Sequence, residues 1–537
     1  MPPFESLDQL ALFNFLRRPD SFGAPESPVE IRQTHISIVA LTSTHVYKVK
    51  KTRNLGFLDF STPEKRRLAC EAEVRLNRRL SHDVYLGVVP ISRSHDGLRF
   101  GSNGDVVEYA VQMRRLDEKG FLSWRLANDP PSASELGRLA IKLSDFYRQQ
   151  SSSSEIAGWG AIDKLRLSTD ENFAQTEQFV GNLISRPAFK ALRDFNELSY
   201  EMRRVLFARR GTEGRILDCH GDLRCEHVHF CGDQINIIDC IEFNDRFRYI
   251  DGANDIAFLA MDCDVHGYAA QGQCIVESVA DLLGDTEALA LLDFYKCYRA
   301  CVRAKVSAIK SSEPEVAVDE RARSQQKAVR FFQWALRYAI GGSQPFMLAV
   351  MGRVSTGKSS VARALGEAIG ATVFSSDQVR KELAGIPLHG RANAAARARL
   401  YSESMTQSTY EELLRRAVVA ATSDRVAVLD ATFGKRWQRE LLQQHPNIRC
   451  IQIELETSEA QIRQRLHNRG RDEISDARLF RNAECSLRPS RRNGTSHESG
   501  ECSDAGINCD RALASFSPGR CLANRLTTAD APARNSR

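Results

Sequence analysis

Residues 352–359 have the spacing of a phosphate-binding loop, G-x-x-x-x-G-K-S. In such a loop the glycines let backbone N–H groups close around phosphate oxygens, the lysine reaches the β- and γ-phosphates, and the hydroxyl ligates Mg²⁺. The cofactor-binding residues predicted here are Gly352, Gly357, Lys358, Ser359 and Ser360, with Ser359 also a metal ligand. The pattern predicts binding of ATP with Mg²⁺; the alternative is a chance match in a Gly/Ser-rich loop.

A second group of chemically capable residues lies much earlier in the chain. Asp222, in the sequence His220-Gly221-Asp222, follows one short apolar run, and Asp239 follows another. Phosphoryl transfer to a hydroxyl needs one carboxylate to accept the proton and others to hold Mg²⁺ on the phosphates. Two aspartates at the ends of adjacent short strands would supply these groups.

The same segment is rich in cysteine and histidine, which makes a zinc site the competing interpretation. It contains no C-x₂₋₄-C pair of the kind that structural zinc sites usually have. Cysteines at strand ends are more often small buried hydrophobic residues. The residues concerned are Cys219, His220, Cys225, His227, His229, Cys231 and Cys240.

The elements that must position these residues divide the chain into three regions. Apolar runs at residues 346–350, 371–374, 426–429 and 450–455 alternate with helical patterns, which predicts a parallel sheet in a doubly wound α/β domain over residues 346–478. The preceding residues 1–340 hold early strands and then mainly helices, and residues 341–345 form a Gly- and Pro-containing breaker. Residues 479–537 lack lysine and valine, and this composition predicts a disordered or frame-shifted tail.

Composition restricts the class of protein further. The net charge of +6 is small for 537 residues and does not favour a nucleic-acid partner. We see no signal peptide and no apolar run of roughly 18–20 residues, so no membrane partner is expected. The 14 cysteines are scattered without paired spacing, which favours reduced thiols and a cytoplasmic location. A small-molecule substrate is the expected partner, and the oligomeric state is left open.

Around Asp222 the chain resembles the aminoglycoside phosphotransferase family, which shares the protein-kinase-like fold. The family pattern, H-G-D-x-x-x-x-N followed by I-D and a distal D-[LI]-A, is matched by His220-Gly221-Asp222, Ile238-Asp239 and Asp255-Ile256-Ala257. The resemblance implies that Asp222 is the catalytic base and Asp239 the main Mg²⁺ ligand, while Asp255 braces the catalytic loop.

The resemblance also implies a strand lysine and a helix glutamate in a small N-terminal lobe. Lys48 is favoured as the lysine, with Lys50 second, because both lie on one face of the same strand. The partner acid would be Glu71 or Glu73. His227 stands where the family has a metal-binding asparagine and is the candidate metal ligand at that position. Because imidazole is a poorer Mg²⁺ ligand than an amide oxygen, one metal site is weak, the loop is rearranged, or this lobe is catalytically impaired.

Around the phosphate-binding loop the chain looks like the gluconate/shikimate-kinase-like and zeta-toxin-like P-loop kinases. This resemblance implies that Asp377 and Arg380 bind the acceptor, although Asp377 would equally suit a helix N-cap. Asp430 would be the acid that holds Mg²⁺ through water. Three arginines of the following helix would form a lid over the transferring phosphate, or else a solvated basic face. They are Arg463, Arg465 and Arg469.

The whole chain resembles the bacterial bifunctional aminoglycoside phosphotransferase-like/ATP-binding proteins. Residues 56–61, 85–90 and 239–244 look like signature stretches of that family. The fold class implied is an α+β protein-kinase-like (aminoglycoside phosphotransferase-like) domain followed by an α/β P-loop kinase domain. The expected function is ATP-dependent phosphoryl transfer to a small hydroxyl substrate. The alternatives are a regulatory ATP-binding protein with an inactive kinase-like domain, and a toxin-like kinase acting on a sugar nucleotide.

Overall fold

The chain folds into two compact units. The first contains the described residues up to Glu171 together with Tyr200–Arg299, and the second contains Asn172–Ser199 and the described residues from Ala300 onward. The computed structural model describes residues 9–23, 28–34, 36–56, 58–95, 97–150, 152–314, 316–388 and 394–467. The predicted lid residue Arg469 and the predicted tail, 479–537, lie outside these ranges.

The first unit begins with a six-stranded antiparallel sheet in the order β1-β2-β3-β6-β4-β5. Its elements are α1 (Gln9–Arg17), β1 (Glu30–Gln33), β2 (Ser37–Leu41), β3 (His45–Lys50), α2 (Pro63–Asn77), β4 (Tyr85–Ser94), β5 (Gly97–Phe100) and β6 (Asp105–Arg114). Side chains alternate between the two faces of a strand. Val49 therefore packs towards α1, whereas Val46 packs towards α2.

Helix α2 is started by strong local signals. The side chain of Thr62 accepts a hydrogen bond from the Lys65 backbone N–H at the N-cap, and Pro63 occupies the first helical position. Six residues of α2 are buried, and all but Leu76 recur at the spacing of one helical face: Arg66, Cys70, Glu73, Val74 and Asn77. A glutamate is thus carried into the space between α2 and β3.

The rest of the first unit is mainly helical, with two pairs of short antiparallel strands, β7 with β10 and β8 with β9. The elements that follow β6 in the chain are α3 (Leu122–Asn128), α4 (Ala133–Gln149), α5 (Ser154–Gly158), α6 (Ile162–Thr176), α7 (Arg186–Met202), α8 (Arg204–Thr212), β7 (Ile216–Asp218), β8 (Val228–Cys231), β9 (Gln234–Ile237), β10 (Tyr249–Asp251), α9 (Gly252–Val265), α10 (Ala269–Leu283) and α11 (Ala288–Ser312). Most of α7 and the C-terminal ends of α6 and α11 belong to the second unit. Every residue of α9 is buried, so this helix forms the centre of the core.

The second unit contains a parallel sheet in the order β12-β13-β11-β14. Its later elements are α12 (Val318–Ile340), β11 (Phe346–Gly352), α13 (Lys358–Ile369), β12 (Thr372–Ser375), α14 (Ser376–Leu383), α15 (Ala394–Leu400), α16 (Glu403–Ser423), β13 (Val426–Asp430), α17 (Arg436–Leu441), β14 (Arg449–Leu455) and α18 (Glu459–His467). β11 is buried almost throughout, as expected of a central parallel strand.

The predicted fold class is confirmed for the described part of the chain. An α+β unit with an N-terminal antiparallel sheet comes first, and an α/β unit with a parallel sheet behind the phosphate-binding loop follows. The predicted domain limits, 1–340 and 346–478, stay predictions. Among the described residues, we find no helix with both the length and the apolar character that crossing a membrane requires.

Candidate active sites

The two lysines of β3 meet one buried glutamate of α2. Lys48 Nζ lies 2.9 Å from Glu73 Oε1, and Lys50 Nζ pairs with both Glu73 and Glu242. Lys48 Nζ also donates to Asp239 Oδ1 at 2.6 Å. Burial alone would lower the pKa of Lys48, but Asp239 and Glu73 raise it well above its usual value. Lys48 is therefore the lysine that links the sheet to a predicted catalytic residue.

The structure decides between the two candidate acids of α2. Glu73 is fully buried, whereas Glu71 is 48% exposed and pairs with Arg67 on the same helix. The signal was present in the sequence, because position 73 shares the helical face of the buried Cys70 and Val74.

Asp255, near the start of α9, holds the loop that carries Asp222. Its carboxylate accepts the backbone N–H of His220 at 3.0 Å and that of Gly221 at 2.9 Å, and it also accepts the Tyr147 hydroxyl at 3.0 Å. These contacts are the bracing that the family resemblance implies.

The base candidate Asp222 is engaged by an arginine that sequence reasoning missed. Arg224 Nε donates to Asp222 Oδ1 at 2.9 Å, and Arg224 Nη2 donates to Asp222 Oδ2 at 2.8 Å. Arg224 is buried. The sequence shows that Arg224 follows Asp222 by two residues. Spacing alone does not predict which group a long side chain contacts.

His227 lies between the two aspartates. Its Nδ1 is 2.8 Å from the backbone oxygen of Asp222, and its Nε2 is 3.1 Å from Arg224 Nη2 and 3.5 Å from Asp239 Oδ2. Burial and the charge of Arg224 lower the pKa of His227 to about 4. The imidazole is therefore neutral near pH 7.

Asp239 offers the most accessible oxygen ligand of this site. Its side chain is 43% exposed, and its backbone has φ = 65°, a left-handed conformation that is rare for a non-glycine residue. Desolvation raises the pKa of Asp239. The opposing effect of Lys48 and His227 is larger, so the net shift of this pKa is downward. An ionised carboxylate that is open on one side fits Mg²⁺, which prefers hard oxygen donors.

The zinc interpretation finds no support. Among the residues that the structure describes, no group of three or more His, Cys, Asp or Glu side chains is arranged to hold a metal ion. Three of the cysteines in the segment are buried, as expected of small hydrophobic side chains. They are Cys219, Cys225 and Cys240.

In the second unit, residues 352–359 connect β11 to α13 as a phosphate-binding loop should. Gly352 has φ = 140° and Gly357 has φ = 99°, and a Cβ at Gly352 would lie 2.5 Å from the Leu455 backbone oxygen. These two positions require glycine. Lys358 Nζ donates to the Arg353 backbone oxygen at 2.7 Å, so it is held inside the loop.

Asp430 ends β13 beside the loop. It pairs in register with Ser375 at the end of β12, and it accepts hydrogen bonds from the Ser359 and Ser375 hydroxyls. Burial raises the pKa of Asp430. Because the carboxyl ends of parallel strands meet at one edge of a sheet, the predicted Mg²⁺ residues Ser359 and Asp430 come together. Ser375 is a further site residue, and its position in the sequence pattern gave it no role.

The predicted acceptor residues lie in different surroundings. Arg380 is buried and donates to the Leu400 backbone oxygen at 2.8 Å and to Thr406 Oγ1 at 3.1 Å, so it joins α14 to the end of α15 and the start of α16. Asp377 lies in the first turn of α14, whose N-cap is Ser375; the N-cap interpretation of Asp377 is therefore wrong. Asp377 lies close enough to Asp430 to raise its pKa.

One lid candidate contacts the loop. Arg465 Nη1 donates to the Thr356 backbone oxygen at 3.1 Å, with the Ser355 oxygen at 3.4 Å. Arg463 is exposed. Arg465 thus lies against the phosphate-binding loop.

Comparisons with known proteins agree with this organisation. Residues 347–483 match the AAA domain family. Uncharacterized proteins of Mycobacterium tuberculosis and Mycobacterium bovis share 32% identity with the chain over 419 residues, which cover 77% of this chain and 80% of each relative.

Solved structures give weaker likenesses. A choline/ethanolamine kinase family protein from Mesorhizobium loti is 11% identical with a TM-score of 0.35, covering 58% of this chain and 92% of its own. A thermostable mutant of an aminoglycoside phosphotransferase is 13% identical with a TM-score of 0.34, covering 60% and 98%.

Proposed function

Given that this chain belongs to the same bacterial family as the mycobacterial proteins, we propose that it is an ATP-dependent phosphotransferase with two nucleotide sites. The acceptor is a hydroxyl group of a small molecule, with neither a nucleic acid nor a membrane as partner, and the location is cytoplasmic. One observation carries the proposal. A single lysine, Lys48, pairs with both the buried acid of α2, Glu73, and the proposed metal ligand, Asp239.

In the first unit the proposed roles follow from position and charge. Lys48, oriented by Glu73, binds the α- and β-phosphates, and Asp222 accepts the proton of the acceptor hydroxyl. Asp239 holds Mg²⁺, which neutralises charge on the phosphates when bound. The brace from Asp255 keeps the Asp222 loop in place, so that the base is positioned before the substrate arrives.

In the second unit the phosphate-binding loop binds a second ATP. Lys358 leaves the Arg353 carbonyl to reach the β- and γ-phosphates, while Ser359 and Asp430 face Mg²⁺ directly or through water. Arg465 lies at the loop and complements the charge of the transferring phosphate. The AAA domain match over residues 347–483 supports nucleotide binding here.

The test is transfer of labelled γ-phosphate to a pool of small metabolites. Asp222→Asn and Lys358→Ala should each remove part of the transfer. Glu73→Gln should lower it about 100-fold at the first site, because it misplaces Lys48. Glu71→Gln is the matched control, since Glu71 lies two residues away, is exposed, and pairs only within α2. If Asp222→Asn and Lys358→Ala both leave transfer unchanged, the proposal fails.

A regulatory ATP-binding protein is the second candidate. The fork of Arg224 on Asp222 favours it, because a base that is already bound to a guanidinium accepts a proton less readily. In that case the Lys358→Ala protein would bind ATP at the first site and show no transfer to any acceptor.

A further inference from the structure

The loop after Asp222 holds a cation in an unusual place. Arg224 has a side chain that is 9% exposed, and its guanidinium is bound on three sides. Two of its nitrogens fork onto the Asp222 carboxylate, Nη2 also reaches His227 Nε2 at 3.1 Å, and Nη1 pairs with Glu226. Because any rotation of the Arg224 side chain would break these contacts, the guanidinium is held beside Asp222.

The hydrogen bonds of His227 show which nitrogen carries the proton. A backbone carbonyl can only accept, so Nδ1, at 2.8 Å from the Asp222 oxygen, is the donor. Nε2 of the neutral ring then has only its lone pair, which accepts from Arg224 Nη2. The lone pair that a metal ion would need is already bound to a guanidinium N–H.

We propose that the Arg224 guanidinium takes the place of a second metal ion beside Asp222, so that the first unit works with one metal ion, held at Asp239. Kinases with two metal ions hold them with an aspartate and a catalytic-loop amide. Here the residue at the amide position, His227, and the base itself both bind the same arginine. A divalent ion placed there would face an adjacent positive charge and would have to displace it.

The remaining metal position is different in kind. Asp239 has its Oδ1 on Lys48, an Oδ2 that lies 3.5 Å from His227 Nε2, and a side chain that is 43% exposed. The Asp239 carboxylate is therefore accessible to a metal ion that arrives with the nucleotide. The inference rests on the proposed function, because it concerns the nucleotide site of the same unit.

The test counts metal ions rather than turnover. The full-length chain with Lys358→Ala, which silences the loop of the second unit, is loaded with adenylyl imidodiphosphate and titrated with Mn²⁺, read by electron paramagnetic resonance. Bound nucleotide is measured in the same sample. We expect about one Mn²⁺ per bound nucleotide, against about two for a two-metal kinase site.

Two variants separate the arginine from the histidine. In the same background, His227→Asn alone should still bind about one Mn²⁺, because Arg224 remains in place, whereas Arg224→Ala with His227→Asn should bind about two. Arg125→Ala is the matched control, since Arg125 is a half-buried arginine of the same unit that pairs with Glu135, and its count should stay at one.

The outcomes are distinct. A count of two in the Lys358→Ala parent, a rise to two with His227→Asn alone, or a count of one in the double variant would each overturn the role of Arg224 while leaving nucleotide binding intact. Absence of bound nucleotide in the parent would instead overturn the proposed function of the first unit, and the inference with it.

Discussion

The imidazole of His227 shows how strongly one position depends on its neighbours. Burial and Arg224 keep it neutral by lowering its pKa to about 4, and the Asp222 carbonyl fixes its tautomer. An asparagine at this position would offer an oxygen to a metal ion. The histidine instead offers one donor and one acceptor, and both are used within the protein.

The lowered pKa of His227 predicts a pH dependence of stability. The unfolded chain binds a proton at this residue near pH 6.5, and the folded chain only near pH 4. Between these values the unfolded state holds more protons, so stability is lost as the pH falls from about 6.5 towards 4 and is fully present above that range. The effect amounts to at most roughly 3 kcal/mol.

Urea unfolding across that pH range measures the effect. His227→Asn should show a flatter loss of stability between about pH 6.5 and pH 4 than the unaltered protein. His82, whose side chain is 82% exposed, gives the control: His82→Asn should keep the original slope. Equal slopes for the unaltered protein and His227→Asn would contradict the prediction.

At the scale of elements, the turn between β7 and β8 requires a glycine at position 221. Gly221 has φ = 85°, and a Cβ there would lie 2.7 Å from the Phe247 backbone oxygen. The loop must therefore move if any other residue replaces this glycine, and Asp222 would move with it.

Gly221→Ala should consequently lose both stability and phosphoryl transfer. Gly232, in the β8–β9 turn, has φ = 58° with nothing within 4 Å of a Cβ, so Gly232→Ala isolates the conformational cost of about 1–2 kcal/mol. Thermal unfolding and γ-phosphate transfer distinguish the two variants: Gly221→Ala should have the lower melting temperature and the lower rate of transfer. Similar losses in the two variants would show that the contact with Phe247 is unimportant.

The strands of the second unit were predictable, and some strands of the first were not. Continuous apolar runs predicted β11 and β13, which are buried on both faces. β1 and β5 are four-residue strands at the edges of the sheet, with exposed or half-buried side chains. β1 has one apolar residue and β5 has two, which is too few to predict a strand from alternation. Arg224 was missed for another reason: its partner is set by the path of a long side chain, which spacing does not encode.

At the scale of the whole molecule, the predicted boundary at residues 341–345 cuts off a helix that the P-loop part uses. Arg337 of α12 donates to the backbone oxygens of Ile369 and Gly370 at 2.7 Å each, and to that of Asp424 at 3.1 Å. These carbonyls lie at the ends of α13 and α16, where helices lack internal partners. Glycine-rich composition indicates a flexible link but does not reveal such contacts.

Arg337→Ala should therefore destabilise the second unit. Hydrogen bonds from a charged group are worth about 1.5–3 kcal/mol, and three carbonyls would lose their donor. The measurement is the melting temperature of the unfolding transition that ATP protects. The control is Arg323→Ala, because Arg323 is an exposed arginine of the same helix. An unchanged melting temperature for Arg337→Ala would show that α12 is not needed.

The position of β14 has a practical consequence. Among the described strands it pairs only with β11, and its other side presents a row of backbone N–H and C=O groups. Such an edge recruits strands from other chains. Fragments cut immediately after His467 are therefore poor material for concentrated solutions, because their molecules would add to one another edge to edge and aggregate.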